Sequence, residues 1–76
     1  MDRNNDIIAF AELNKVANEE YDGHFSLLKF TTNWRCALGT GDLSRVGIQR
    51  MAVGKTMCEA IWNCLDKRVQ TFGKPD

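Results

Sequence analysis

The sequence predicts a small α+β domain: a helix, an antiparallel β-hairpin, a segment over 42–53 that is either a third short strand or a short helix, and a C-terminal helix. Three observations carry this expectation. Apolar residues recur at three- and four-residue steps from Ile7 to Ala17. After Gly23 the period changes, and from Trp34 to Leu38 it becomes an alternation. Thr56-Met57-Cys58-Glu59 has the S/T-x-x-E form that opens a helix. At 76 residues the chain reads as one domain spanning 1–76, with 1–5 and 73–76 frayed. Folding at this size hides only about 60% of the surface that the unfolded chain exposes, so the core is thin and a large catalytic cleft does not fit.

The first helix is expected from about Ile7 to Glu20. Its stripe is Ile7, Phe10, Ala11, Leu13, Val16 and Ala17, with Glu12, Asn14, Lys15, Asn18 and Glu19 between. Asn4, Asn5 and Asp6 are good N-caps, and Tyr21-Asp22-Gly23 is a turn with a glycine that accepts positive φ. Two strands follow, His24 to Phe30 and Trp34 to Leu38, joined by Thr31-Thr32-Asn33 and ended by Gly39-Thr40-Gly41. Trp34, Cys36 and Leu38 share one side, which makes Trp34 a packing residue, and Arg35 lies exposed on the other. A hairpin is not stable alone, so its edges need a third strand or a second copy of the chain, and a homodimer is expected.

In the next segment Asp42 is expected to cap a helical turn whose face is Leu43, Val46, Met51 and Ala52, although Gly47 weakens it. Gly54 fits the position just past a helix end. In the last helix Met57, Ala60, Ile61, Cys64, Leu65 and Arg68 share a face, Lys67 and Arg68 complement the negative end of the helix dipole, and Phe72-Gly73-Lys74-Pro75 stops the helix.

Ten acidic and ten basic residues give no net charge, yet they are divided. Residues 1–22 carry six acids and two bases, a net of −4, and the remainder compensates. Either these charges pair internally or are solvated, or the basic part forms a face for an acidic protein or a nucleic-acid backbone. Arg35, Arg45 and Arg50 are the candidate contact patch, joined by Trp62, which sits off the apolar stripe of its helix, where a tryptophan can anchor a partner. The acidic first helix could mimic nucleic-acid charge.

Catalytic and metal-binding residues are not identified, and no cofactor or small-molecule substrate is expected. Cys36, Cys58 and Cys64 contain no C-x-x-C, and His24 has no second histidine, so a zinc site is not predicted. The odd count reads as reduced, partly buried thiols. Cys58 and Cys64 are six apart on one helix and point in different directions. A thiol nucleophile would need His24 as its base, and nothing in the spacing pairs them. Gly54-Lys55-Thr56 ends like a phosphate-binding loop, but Gln49 stands where that loop needs glycine, and the capping box accounts for the same residues. The polar, mixed-sign start and the lack of a long apolar run predict a cytoplasmic protein without a membrane partner.

The order helix, strands, glycine-rich turn, helix resembles double-stranded-RNA-binding domains. Those modules carry a run of lysines at the start of the last helix, and here only Lys55 precedes Met57, Cys58 and Glu59. Gly23-His-Phe-Ser-Leu-Leu-Lys-Phe-Thr-Thr-Asn-Trp-Arg35, Leu38-Gly-Thr40, Met51-Ala-Val-Gly-Lys-Thr56 and Glu59-Ala60 cover about half of the chain. These stretches resemble a group of short uncharacterised proteins of alphaproteobacteria, their phages and prophages, a setting that includes anti-CRISPR inhibitors. The resemblance implies a phage-type inhibitor of a host nucleoprotein complex that acts by binding rather than catalysis in the host cytoplasm. The alternative is a small nucleic-acid-binding regulator that uses the basic half.

Overall fold

The computed structural model describes residues 3–71. The expected fraying of 73–76 and the stop at Phe72-Gly73-Lys74-Pro75 lie outside them. The element order is α1 (Asp6–Glu20), β1 (Phe25–Lys29), β2 (Trp34–Leu38), α2 (Arg45–Arg50), β3 (Ala52–Gly54) and α3 (Met57–Lys67). The three strands form one antiparallel sheet in the order β1-β2-β3. Segment 42–53 therefore holds both of the elements offered as alternatives, a short helix and then a third strand. No helix among the described residues is long and apolar enough to cross a membrane.

Local chemistry starts each long helix. Asn5 Oδ1 accepts from the amides of Ile7 (2.8 Å) and Ile8 (3.1 Å) at the head of α1. Thr56 Oγ1 accepts from the Glu59 amide at 3.1 Å, and Glu59 Oε1 reaches back to the Lys55 amide at 2.7 Å. The capping box thus closes one residue earlier than its usual reciprocal form. Asp22 and Gly23 both take positive φ, 56° and 82°, to turn the chain from α1 into β1.

α1 and α3 cover one face of the sheet. Ala9, Leu13, Val16 and Ala17 of α1 meet Cys36 and Leu38 of β2 and Cys58, Ala60, Ile61, Cys64 and Leu65 of α3 in a single core. The buried stripe of α1 is therefore rotated from the expected one. Ile7 is 80% exposed, and Phe10 is exposed with its ring edge-on to Phe25. Helix α3 is the cause, because the small face of Ala9 and Ala17 lets it approach α1 and leaves the Ile7 side overhanging. Trp34 is half-buried at the margin of the core, with the Lys29 ammonium over its ring at 5.7 Å.

Three further expectations are corrected. Gly54 does not end a helix. It lies in β3 opposite Trp34, where a β-carbon would stand 2.3 Å from the Ala60 nitrogen, so the glycine is needed for α3 to pack on the strand. α3 ends at Lys67, and Arg68 is its left-handed cap at φ 51°, its guanidinium bonding the Leu65 carbonyl. This turn returns the chain to the sheet, where the Leu38 amide donates to the Val69 carbonyl at 2.8 Å. Finally, Ser44 rather than Asp42 caps α2.

Candidate functional site

The second face of the sheet is covered in part, over Arg35 and Ala37 of β2, by the excursion from Gly41 to Met51, while Val53 and Phe30 stay exposed. Its geometry begins at Asp42. The Asp42 amide donates to Thr71 Oγ1 at 2.9 Å, and its carboxylate accepts from the Ser44 amide at 3.0 Å, a side-chain turn that sets up α2. Ser44 Oγ then accepts from the Gly47 amide at 3.3 Å. Gly47 is buried against Asp42, and a β-carbon there would fall 1.8 Å from the Asp42 carbonyl oxygen. A residue that weakens a helix on propensity is here the one that lets the helix close on its own cap.

Arg35 fastens the far end. Its Nη1 donates to the Ile48 carbonyl at 3.0 Å, a charge-assisted bond to the last turn of α2. The same carbonyl accepts from the Met51 amide at 3.1 Å. Arg35 is consequently half-buried rather than the exposed strand arginine expected from alternation. Ala37, on the same side of β2, is buried together with Met51, both outside the main core cluster. The excursion explains why both sides of β2 are closed.

Held in this way, the segment from Leu43 to Arg50 turns two aliphatic side chains outward. Leu43 is 55% exposed and Val46 61%, instead of forming the expected inner face. Arg45 and Arg50 are exposed beside them. The Ser44 amide and hydroxyl, together with the Arg50 charge, hold the Asp42 carboxyl below its ordinary range. Leu43, Arg45, Val46 and Arg50 are the exposed aliphatic and guanidinium groups of this short segment, the α2 ridge. Sequence reasoning missed Leu43 and Val46 because spacing shows that two residues share a face but not that nothing packs on it.

Trp62 is not brought to this ridge. It lies on α3, half-buried, with its indole N–H donating to the Arg3 carbonyl at 3.0 Å and the Arg3 guanidinium 4.5 Å over its ring. Arg3 also pairs with Asp66 at 2.8 Å. A shallow cleft of about 450 Å³ runs beside it, lined by Lys55, Thr56, Glu59 and Asn63 among others. Thus Arg45 and Arg50 belong to α2, Arg35 bonds to it, and Trp62 belongs to a second, polar surface.

The charge division is partly internal. Arg68 Nε and Nη2 meet the two oxygens of Glu20 at 3.0 and 3.2 Å, tying the acidic helix to the basic half. This bond holds the Glu20 carboxyl below its ordinary range. Asp6 accepts from the Cys58 thiol at 2.6 Å. All three cysteines are buried, and the hydrogen bond with Cys64, followed by burial, raises the Cys36 thiol far above the ordinary range. His24 Nδ1 lies 3.1 Å from Thr40 Oγ1. Among the described residues no cluster of three or more histidine, cysteine or acidic side chains could hold a metal ion. No family model, curated protein or solved structure matches the chain.

Proposed function

We propose that this chain is a non-enzymatic protein–protein interaction module, a phage-type inhibitor that docks on a larger nucleoprotein complex through the α2 ridge. One observation carries the reading: Leu43, just before α2, and Val46 within it stand more than half exposed in the same short segment as the exposed Arg45 and Arg50, and the helix is fastened at its start by Ser44 and near its end by Arg35. Exposed aliphatic side chains cost solvation free energy until a partner covers them, and arginine is enriched among binding hot spots. A fastened helix loses little entropy on docking. The partner that suits it offers an apolar groove rimmed by carboxylates.

Several of the other cations are already engaged. Arg3 pairs with Asp66, Arg68 with Glu20, and Arg35 with a backbone carbonyl. This leaves less free charge for a phosphate backbone and favours a protein surface over nucleic acid.

The test is affinity capture from bacterial lysate with the tagged chain, alongside Val46→Glu and the pair Arg45→Glu, Arg50→Glu. A specific protein complex retained by the wild type and lost from both variants supports the reading. Equal recovery with all three removes α2 as the contact surface. Binding to duplex RNA or DNA that weakens steeply with salt would instead support the nucleic-acid regulator.

A further inference from the structure

The two edges of the sheet differ. On the β3 side the strand is three residues long, Asn63 Nδ2 donates to the Val53 carbonyl at 2.9 Å, and the segment after α3 extends the edge by pairing Leu38 with Gln70. On the other side β1 runs five residues in unbroken register with β2, without bulge or proline. Lys29 is its only charged residue.

Hydrogen-bond parity shows which groups this edge offers. The Leu38 amide points to Val69, away from β1, so the pair Phe25 and Leu38 is not hydrogen-bonded. By alternation neither are Leu27 with Cys36 and Lys29 with Trp34. The bonds at the two ends of the hairpin, Gly39 to His24 and Phe30 to Asn33, agree with this parity. The amides and carbonyls of Phe25, Leu27 and Lys29 therefore face outward, and among the described residues nothing bonds to them.

We propose that this edge pairs with β1 of a second copy, antiparallel about Leu27, giving a two-fold dimer with one continuous sheet made of two three-stranded halves. The strand is complementary to itself in this register. Leu27 faces the second copy's Leu27, and Phe25 faces the second copy's Lys29, so all outward amides and carbonyls pair reciprocally. On the other face Ser26 meets Leu28 and His24 meets Phe30, which is 40% exposed in the single chain. Lys29 comes opposite Phe25, whose ring already meets Phe10 of the acidic helix α1. The lysine thus gains an aromatic surrounding in place of a like charge. The β3 edge is three residues long and its outward Val53 carbonyl already accepts from Asn63, so it offers no comparable ladder and growth stops at two copies.

The experiment is sedimentation equilibrium across the micromolar range, combined with amide hydrogen exchange. Two variants accompany the wild type: a chemically synthesised chain with N-methyl-leucine at position 27, and Phe30→Lys. The Leu27 N–H points away from β2, so methylation leaves the ladder within one chain intact. The wild type should sediment at twice 8.6 kDa, and the amides of Phe25, Leu27 and Lys29 should gain protection as concentration rises. N-methylation should weaken dimerisation about tenfold, two backbone hydrogen bonds being lost per dimer, and Phe30→Lys should weaken it with unchanged circular dichroism. A monomer throughout the range overturns the proposal, even one whose edge captures an extended peptide. So does a dimer in which these three amides exchange freely or N-methylation has no effect.

Discussion

Gly54 and Ala60 are in backbone contact: a β-carbon on the glycine would stand 2.3 Å from the Ala60 nitrogen and 2.7 Å from the Glu59 carbonyl carbon. The obstacle is the main chain of α3, which has no rotamer to give way. Gly54→Ala should therefore cost about 3 kcal/mol, the upper range for overpacking, read as a lower urea midpoint with unchanged slope. A cost below about 0.5 kcal/mol would show that β3 and α3 separate easily.

Arg35→Met should loosen α2 without unfolding the core. The lost bond to the Ile48 carbonyl is charge-assisted and half-buried, so about 1 to 2 kcal/mol is expected. Amide exchange gives the more specific reading: Met51, whose amide shares that carbonyl, should exchange faster, while the amides of α3 are unchanged. Arg45→Met, outside this bond, should stay within about 0.5 kcal/mol of the wild type.

The cap of α3 should behave as a coupled pair. Thr56→Ala should cost about 1 kcal/mol. Glu59→Ala should cost less, because its bond to the Lys55 amide is exposed. The double variant should cost less than the sum, since each side chain orders the same turn. Strict additivity in urea denaturation would mean that the two bonds form independently.

Acid should weaken the fold through two carboxylates. Glu20, ordinarily near 4.5, is held lower by its hydrogen bond to Arg68. Asp42, ordinarily near 3.8, is held lower by the Ser44 amide and hydroxyl and by Arg50. Each folded-state value lies below the unfolded one, so the stabilisation is complete above the ordinary value and is lost as pH falls through the depressed one. In a pH series of urea midpoints, Glu20→Gln with Asp42→Asn should flatten the fall below about pH 4.5. Wild-type and variant curves that stay parallel there would exclude these two groups as its source.

Wherever neighbours in the chain supply the partner, the elements were legible from the residues. The Asn5 cap, the positive-φ turn at Gly23 and the Thr56 capping box rest on contacts within a few positions, and the hairpin of β1 and β2 on pairs no more than 13 positions apart. Misplaced residues had distant partners. Gly54 reads as a helix end until α3 is seen against it, and Arg35 reads as exposed until Ile48 folds over it. Ile7 reads as core until α1 buries Ala9, Leu13, Val16 and Ala17 instead and leaves it outside.

The same division holds for the site. Composition and spacing by themselves determined an α+β chain with divided charge and arginines gathered around 35–50. Only the tertiary structure decided that Arg35 is a fastening, that Trp62 belongs to another surface, and that Leu43 and Val46 point outward. Periodicity fixes which side chains share a face, because it follows from backbone geometry. Whether that face is covered depends on contacts between residues far apart in the chain, and such contacts leave no periodic trace in the sequence.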